Sequence, residues 1–555
     1  MHPYVAEQFT DEEAGILRRY VTNLDQPVFA LVNLPEVVKG ALFARYSRSP
    51  KSLRRLFLDE FVGDLDLSGD VTFDATVGLK RAEELYEKVF YEYGDDSVAQ
   101  LGGVHLACEQ SSNLLTKVLE WGRLMSYLEQ STRYLAYDQR LSSGHYRYYR
   151  PPAVLDSPLG ARYVGEMDRM FDTYGELLGT VQSWLHTQHP KAEGDSDFVH
   201  RQAVRAKALD AVRGVLPASS LSNVGIYGTG QGYEALLLRM RSHPLPEARA
   251  YAQMMLTELR KVIPSFLRRV DVEDRGGAWS DYLATTRETT ARTVERLFPD
   301  GLDEDGEPPE VRLLDFDPDG EDKVLAAACF SHVSGSEAAV LARVRELPGV
   351  ERAALLTAYV GDRDNRRHRP GRAFERTDYR FELVTDYGAF RDLQRHRLLT
   401  VEWQPLGCDL GADVPAAITE AGCEATFADS LARSRDLFDA IHAHLPDEAG
   451  YAVALAYRIR YVLQLNAREA MHVIELRSGP QGHPAYRRVA QEMHRQIASV
   501  AGHHAIAEAM RHVDYDTTDL ERLDGERRAE ARRMGRSQGG RGASDISCGV
   551  TDLHL

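Results

Sequence analysis

Three basic residues stand in a row, Arg395-His396-Arg397, in the stretch QRHRLLTVEWQP (Gln394–Pro405). We expect this stretch to be helical, and adjacent like charges on a helix repel, so the run is costly unless an anion lies nearby. The planar guanidinium of arginine suits bidentate binding of phosphate. The run therefore indicates a local anion pocket or, alternatively, a solvated helix face that carries basic residues by chance.

A second candidate group lies in NAREAMHVIELR (Asn466–Arg477). Asn466 and Arg468 are predicted to stand at the start of a helix, where free backbone N–H groups favour phosphate. Arg477 follows Arg468 by nine residues, about 180° around a helix axis, so the two arginines are expected to face different ligands. The alternative is a helix in which Glu469 and Arg477 belong to a surface charge pattern.

A third candidate group is LEQSTRY (Leu128–Tyr134), in which Glu129, Ser131 and Arg133 alternate. In an extended backbone these side chains project to one side, where they could hold the edge of a base and a phosphate. Arg213 would add a second guanidinium. The alternative is a loop in which Ser131 merely caps the backbone. Ser131 has no adjacent histidine base, which indicates binding and not a nucleophile.

Other motifs carry little chemistry. Two groups of histidines, His442 with His444 and His503 with His504 and His512, lack a cysteine or carboxylate cluster at ligand spacing, so no metal site is expected. The glycine-rich stretch YGTGQGYEALLL lacks both the GK[ST] ending and the GxGxxG spacing. The cysteines are scattered without a CxxC pair, which predicts reduced thiols in a cytoplasmic protein. They are Cys108, Cys329, Cys408, Cys423 and Cys548.

The segments that must position these residues occur twice in the chain. Arg123-Leu124-Met125-Ser126 is followed by Gln130, and Arg397-Leu398-Leu399-Thr400 is followed at the same offset by Gln404. Glu234–Met255 likewise resembles Glu469–Met493 in composition and order. Two matches in the same order indicate a duplication.

The predicted domains follow from this duplication. We expect repeats at residues 1–275 and 311–520, a linker rich in Gly, Pro and acidic residues at 276–310, and a disordered tail at 521–555. Short strand-like runs such as VRLLDF and RFELVTD accompany long segments with apolar residues at i, i+3 and i+4. Two such segments are EMDRMFDTYGELLGTVQSWL, around Met167, and SLARSRDLFDAIHAHL, around Leu437. The predicted fold is α+β, repeated, helix-rich, with small and mainly antiparallel sheets.

Bulk composition narrows the function classes. The 555 residues carry a formal net charge of −17, which argues against sequence-independent nucleic-acid binding. No run approaches eighteen uncharged apolar residues, so no membrane span is expected. The N-terminal residues have neither a basic nor an apolar region typical of a secretory signal.

Taken together, the motifs resemble those of the flavin-dependent thymidylate synthases, whose signature has the wider form RHRxxSxxExSxRY. Arg395-His396-Arg397 reproduces the RHR, Asn466–Arg477 resembles the family's NAR…LR helix, and RPGRAFER (Arg369–Arg376) resembles the loop before the RHR. In the first half, YGDDSVAQ resembles the YGHESVLEH loop, LEQSTRY the ExSxRY end, and Arg213–Pro217 the RxVLP segment.

The departures from the family pattern are complementary. In the first half the RHR position reads Trp121-Gly122-Arg123, and we place the NAR position at Gln231-Gly232-Tyr233. In the second half the signature serine is replaced by Pro405 and the ExSxRY end is missing. Because the family's active sites are built between subunits of a homotetramer, the resemblance implies that two joined halves assemble one complete site. It also implies a homodimer of two-repeat chains that mimics the tetramer.

The resemblance further implies FAD as cofactor, dUMP as substrate, methylenetetrahydrofolate as carbon donor and NADPH as reductant, in the reductive methylation of dUMP to dTMP. Two alternatives stay open: a flavin enzyme acting on another uracil-like or small-molecule acceptor, and a non-catalytic nucleotide- or flavin-binding paralogue. The residues implied for catalysis are Arg395, His396, Arg397 and Arg477. Those implied for substrate binding are Glu129, Ser131, Thr132, Arg133, Arg213 and Arg477, and those for the flavin are Arg395, Arg397, Asn466, Arg468 and Ser97.

Overall fold

The structure is a computed structural model that describes residues 4–34, 36–60, 102–299, 301–302, 306–516, 520 and 522–539. The YGDDSVAQ stretch and its Ser97, expected to contribute to the flavin site, lie outside the described residues.

Each half contains a four-stranded antiparallel sheet, and the two sheets have the same strand order. The order is β1-β2-β4-β3 in the first half and β5-β6-β8-β7 in the second. The strands are β1 Val28–Leu31, β2 Gly103–Ser112, β3 Met125–Glu129, β4 Leu221–Thr229, β5 Val311–Phe316, β6 Asp378–Asp386, β7 Thr400–Trp403 and β8 Arg458–Asn466.

Helices surround both sheets. Those of the first half and the linker are α1 Asp11–Leu17, α2 Glu36–Tyr46, α3 Leu53–Glu60, α4 Asn113–Leu119, α5 Pro152–Leu155, α6 Gly160–Gln188, α7 Asp197–Val212, α8 Gly230–Arg241, α9 Pro246–Leu259 and α10 Ala278–Leu297. Those that follow are α11 Gly320–Phe330, α12 Glu337–Arg345, α13 Gly349–Val360, α14 Tyr387–Leu393, α15 Ala416–Glu420, α16 Glu424–His442, α17 Pro446–Ala449, α18 Ala467–Arg477, α19 Pro484–Ser499, α20 His504–Ala509 and α21 Leu523–Gly539. The predicted helix-rich α+β tandem fold is confirmed.

The strand registers show which residues of the two halves are equivalent. Ser126 of β3 pairs with Tyr227 of β4, and Thr400 of β7 pairs with Gln464 of β8. Just beyond these strands, the Gln130 amide donates to the Asn223 carbonyl at 2.8 Å, and the Gln404 amide donates to the Arg460 carbonyl at 2.9 Å. The repeated phrases of the sequence therefore occupy the same place in the two sheets.

The helices that carry the candidate residues begin at polar caps. Ser112 and Asp386 cap α4 and α14, each accepting from the amide three residues on. Thr229 and Asn466 cap α8 and α18 in the same way. Because Thr229 takes the place of Asn466, the NAR position of the first half reads Thr229-Gly230-Gln231, and its sequence-based assignment to Gln231-Gly232-Tyr233 was wrong.

The basic run Arg395-His396-Arg397 does not lie on a helix, contrary to expectation. Helix α14 ends at Leu393, and the run occupies the turn between α14 and β7. A turn lets the three side chains diverge, which relieves the repulsion expected for neighbouring charges on one helix face.

Helices also occur in the segment predicted to be a linker and in the segment predicted to be a disordered tail. The twenty-residue helix α10 lies in the linker. Disorder from residue 521 is wrong for residues 523–539, which form α21. This segment is fixed because Arg522 donates to Asp210 and to the Arg133 carbonyl, and Arg527 pairs with Asp195.

The two halves share one hydrophobic core and a backbone joint. The Ala218 amide donates to Val453, and the Leu455 amide donates to Leu216, both at 2.8 Å, around the bridge between Pro217 and Ala454. Buried side chains of both sheets belong to a single cluster. Within the described ranges, no helix combines the length and apolar character needed to span a bilayer.

Candidate functional site

The carboxylate of Asp392 is surrounded by arginines from both halves. Asp392 lies near the end of α14 and forms an ion pair with Arg395, one turn further along the chain. Its carboxylate also lies 3.6 Å from Nη1 of Arg213, at the end of α7, and 3.9 Å from Nη1 of Arg477, at the end of α18. The Asp392 carbonyl accepts a further hydrogen bond from Arg477 at 2.6 Å.

A second buried carboxylate, Glu129 at the end of β3, binds cations from α4, from α14 and from the turn after α14. Arg391 donates to Glu129 at 2.6 Å, and Lys117 donates to it at 3.3 Å. Arg395 Nη1 lies 3.9 Å from the same carboxylate. The Glu129 side chain is 2% exposed, so these charges interact with little solvent screening.

Arg133 brings the loop after β3 to the second half. Its guanidinium donates to both oxygens of Asp210 at 2.8 and 2.7 Å, which is a bidentate pair. It also lies 5.5 Å from the ring centre of Tyr486 on α19, and Arg477 lies 5.4 Å from the same ring. Arg133 and Arg477 therefore meet at one tyrosine within a single chain. We call Arg133, Arg213, Arg391, Arg395 and Arg477 the arginine cluster.

The arginine cluster keeps its carboxylates ionised. Burial alone would raise the pKa of Asp392, but Arg395, Arg477 and Arg213 outweigh it and hold the pKa well below its usual range. The pKa values of Glu129 and Asp210 are lowered in the same way, burial being outweighed by Arg391 and Lys117 in one case and by Arg133 and Arg522 in the other.

Positive charge nevertheless exceeds negative charge at this place. Burial raises the pKa of Glu120 and raises that of Asp386 to about 6, so these two neighbours neutralise the cations less completely. Buried nitrogens of three cluster members, Arg213 Nη2, Arg391 Nε and Arg395 Nε, have no hydrogen-bond partner among the described residues. Buried, unpaired guanidinium nitrogens are costly, so the cluster favours an anionic ligand.

His396 lies beside the cluster in a group with Glu469 and His472. One ligand atom from each of the three lies within 4.8 Å of the others, which is spacing that could hold a metal ion. However, Nε2 of His396 accepts from Arg477 at 2.9 Å, and Nδ1 of His472 is bound by Arg369 at 2.9 Å. Guanidinium groups thus occupy nitrogen lone pairs that a metal would need, and the local charge favours an anion.

Burial shifts the pKa values of His472 and Glu469 in opposite directions. Burial, together with Arg369 and Arg477, lowers the pKa of His472 to about 4. Burial raises the pKa of Glu469 to about 7, against the opposing effect of Arg369, Arg468 and Arg397. Burial also holds the pKa of His396 well below its usual range. Both histidines are therefore neutral near pH 7, and the charged groups are the nearby arginines and a partly ionised Glu469.

The remaining predicted residues lie around this centre. Ser131 Oγ accepts the Arg133 amide at 3.2 Å, which is the backbone-capping role held open as the alternative. Thr132 is buried beside it. Arg397 is exposed and donates to the Met125 carbonyl and to Ser126 Oγ. These residues border the cluster and do not enter its ion pairs.

Asn466 and Arg468 lie at the opposite end of α18 from Arg477. The Asn466 side chain accepts the Glu469 amide at 2.9 Å, and Arg468 donates to the Pro370 carbonyl at 2.9 Å and to Glu375 at 3.3 Å. Arg468 and Arg477 therefore face different surroundings, as their spacing predicts.

Sequence reasoning named Glu129 but missed the other two carboxylates of the site, Asp392 and Asp210. Asp392 precedes Arg395 by three residues and Asp210 precedes Arg213 by three, which is helical ion-pair spacing that could have drawn attention to them. Tyr486, His472 and Arg522 had no local signal, because only the packing of distant segments brings them to the cluster.

Comparison with known proteins identifies the family of the chain. The sequence profile of the thymidylate synthase complementing protein family, Thy1, matches residues 52–265 and 312–502. The chain belongs to the thymidylate synthase complementing protein family. Its two matches correspond to the two sheets, so the family domain occurs twice.

Three relatives of this family member match along nearly their whole length. A UPF0159 protein of Chlamydia muridarum (strain MoPn / Nigg) is 40% identical over 532 residues, covering 94% of this chain and 99% of the relative. A UPF0159 protein of Chlamydia pneumoniae is 37% identical over 529 residues, covering 94% and 98%. A UPF0159 protein of Thermoplasma acidophilum is 32% identical over 524 residues, covering 90% and 99%.

Proposed function

We propose that this thymidylate synthase complementing protein is a flavin-dependent thymidylate synthase that converts dUMP to dTMP. The observation that carries the proposal is the arginine cluster, in which guanidinium groups of both halves surround buried carboxylates. Some of its nitrogens still have no hydrogen-bond partner in the part of the chain that the structure describes. A phosphate monoester supplies the negative charge and the acceptor oxygens that these nitrogens lack.

The residues of the cluster have separable tasks in this proposal. Arg213, Arg395 and Arg477 bind the phosphate of dUMP, and Arg133 orients the nucleotide from the first half. Asp392 and Glu129 hold the guanidinium groups in place before the nucleotide arrives, so little reorganisation accompanies binding. Bound FAD supplies hydride transfer, methylenetetrahydrofolate the carbon and NADPH the reducing equivalents.

The surroundings of His396 fit the phosphates of a flavin dinucleotide. Arg369, Arg397 and Arg468 each lower the pKa of the Glu469 carboxyl against its burial, so three cations act on this carboxyl. His396 and His472 lie in one group with Glu469, and as neutral side chains they add hydrogen-bonding capacity without charge. This second basic group is separate from the ion pairs of Asp392, so substrate and cofactor have distinct anchors.

The cysteines agree with a reaction that needs no enzyme thiolate. Burial raises the pKa of the Cys108 and Cys408 thiols, and it raises that of Cys408 to about 12. Both thiols are therefore protonated near pH 7 and poor nucleophiles. In the proposed reaction the protein binds and orients the ligands, and the cofactor carries the hydride chemistry.

The test begins with the purified protein. We expect a yellow protein that releases FAD on denaturation and whose flavin spectrum changes when dUMP is added. Arg133→Ala and Arg395→Ala should each abolish dTMP formation, because each half supplies part of the site. Arg435→Ala, which alters a half-exposed pair with Asp409, is the matched control and should remain active. Colourless protein that takes up no added FAD would refute the proposal.

A second candidate is a flavin enzyme that acts on another uracil-like acceptor. Replacement of the signature serine by Pro405 and the presence of Asp392 at the centre of the cluster favour it, because a carboxylate repels a second anion. Complementation of a thymidine-requiring strain separates the candidates: growth supports thymidylate synthesis, and no growth with soluble, flavin-loaded protein supports the second candidate. Flavin or nucleotide binding without turnover of any acceptor would indicate the non-catalytic paralogue.

A further inference from the structure

The duplication creates a second place with the same backbone geometry as the arginine cluster. We call it the twin position: the turn after α4 in the first half, facing β7 of the second half. The two turns still exchange equivalent hydrogen bonds, since Arg397 donates to Ser126 Oγ at 3.2 Å and Arg123 donates to Thr400 Oγ1 at 2.9 Å. The backbone relation between the two places is therefore preserved.

At the twin position, two tryptophans replace the charged pair of the site. The turns and strand registers make Trp121 equivalent to Arg395, and Trp403 equivalent to Glu129. Where Arg395 and Glu129 form an ion pair, the rings of Trp121 and Trp403 pack edge-on with centroids 5.3 Å apart. Phe390 lies 5.6 Å from Trp403 on the other side.

The space that Arg213 occupies is filled by leucine at the twin position. Arg213 lies against Gly388, where an added Cβ would come within 2.9 Å of Arg213 Nη2. The equivalent pair is Gly450 and Leu114, and a Cβ on Gly450 would come within 3.2 Å of Leu114 Cδ1. The arginine and its glycine have thus been exchanged for a glycine and a leucine.

The third replacement removes the histidine. Gly122 is equivalent to His396, and a Cβ on Gly122 would lie 2.6 Å from the hydroxyl of Tyr127. That hydroxyl donates to the Gly122 carbonyl at 3.1 Å, so tyrosine fills the space beside the turn. Charged, hydrogen-bonding side chains have been replaced by packed rings and aliphatic groups at each of these equivalent places.

We propose that each chain holds a single nucleotide and flavin site, and that the twin position is an aromatic joint that fastens the two halves. The identity of the ligands rests on the proposed function, whereas the joint rests on packing alone. The twin position lacks counterparts of Arg213, Arg395 and His396. The guanidinium of Arg239 at this place lies 5.6 Å from the ring centre of Trp121, which is 39% exposed. Aromatic and cation–π contacts therefore stabilise the joint where the site has ion pairs.

Two measurements test this inference. Equilibrium titration of the full chain with dUMP and with FAD should give one equivalent of each per chain, whereas two equivalents would overturn it. In ligand-free protein, Trp403→Ala should lower the Tm and Trp403→Phe should restore most of it, because a ring is retained. Trp279→Ala is the matched control, since Trp279 on α10 is 52% exposed, and its Tm should stay at the wild-type value.

The two proposals can fail separately. If neither dUMP nor FAD binds, the proposed function is lost, and the melting measurements still decide the joint. An unchanged Tm for Trp403→Ala overturns the aromatic joint. A second outcome would also overturn it: if Trp403→Ala lowers the affinity for dUMP as far as Glu129→Gln does, Trp403 belongs to a ligand site.

Discussion

Gly388→Ala is expected to displace Arg213 from the site. Gly388 lies in the first turn of α14, and the new methyl carbon would stand 2.9 Å from Arg213 Nη2 and 2.8 Å from an oxygen of Asp386. The Arg213 side chain is 4% exposed and lies between Asp386 and Asp392, so it has little room to move. The methyl group must therefore push a buried guanidinium away from its carboxylates.

The magnitude follows from two opposing effects. Alanine in place of glycine inside a helix stabilises by about 0.5–1 kcal/mol. Overpacking a buried site costs about 1–3 kcal/mol. The net expectation is a loss of up to about 2 kcal/mol of unfolding free energy. A lost charge-assisted hydrogen bond to the ligand is worth about 1.5–3 kcal/mol, which corresponds to a roughly 10- to 100-fold weaker dUMP affinity.

Urea unfolding measures the loss of unfolding free energy, and dUMP titration measures the loss of affinity. The matched control is Gly450→Ala at the twin position, where the Cβ meets the flexible end of Leu114 at 3.2 Å. The control should leave dUMP affinity unchanged. A Gly388→Ala chain that gains stability and binds dUMP like wild type would show that Arg213 is not held where the site needs it.

Glu129→Gln removes the counter-charge of buried cations and should lower the unfolding free energy by about 3–5 kcal/mol in urea unfolding, whereas Glu402→Gln, on an exposed side chain of β7, should have no measurable effect. Burial raises the pKa of Glu247 from 4.5 to about 7, so the folded state binds more protons between these values and stability falls as pH rises from about 4.5 to 7. Glu247→Gln should reduce this fall in unfolding free energy by about 3 kcal/mol at most in pH-dependent unfolding, and an unchanged fall would contradict the assignment. A chain ending at residue 521 lacks Arg522 and its bonds to Asp210, so it should melt at a lower temperature than wild type; an unchanged Tm would show that α21 does not brace the cluster.

Much of the fold could be predicted because local patterns repeat. VRLLDF and RFELVTD lie in β5 and β6, and the periodic segments around Met167 and Leu437 lie in α6 and α16. Asn466 caps α18 as its type and position indicate. The paired phrases ending at Gln130 and Gln404 indicated the duplication, and both glutamines make the same backbone bond. Periodicity, capping and repetition are properties of short segments, so the sequence alone carries them.

The local environment of the basic run could not be predicted in the same way. The sequence showed Arg395-His396-Arg397 but suggested a helix, whereas α14 ends before it. A seven-residue helix bounded by strands leaves too few residues for periodicity to mark its end. The tail was misjudged for a related reason, since its composition is that of a solvated segment and its anchor, Asp210, lies about three hundred residues earlier.

The sequence by itself determined which cations survive in each half and that the halves are copies of one domain. Only the tertiary structure decided what balances those cations: Asp392, Glu129 and Asp210 reach them from separate elements. It also decided that Trp121 meets Trp403 at the twin position. The physical reason is that charge type is fixed residue by residue, whereas charge compensation and packing depend on distances between segments far apart in the chain.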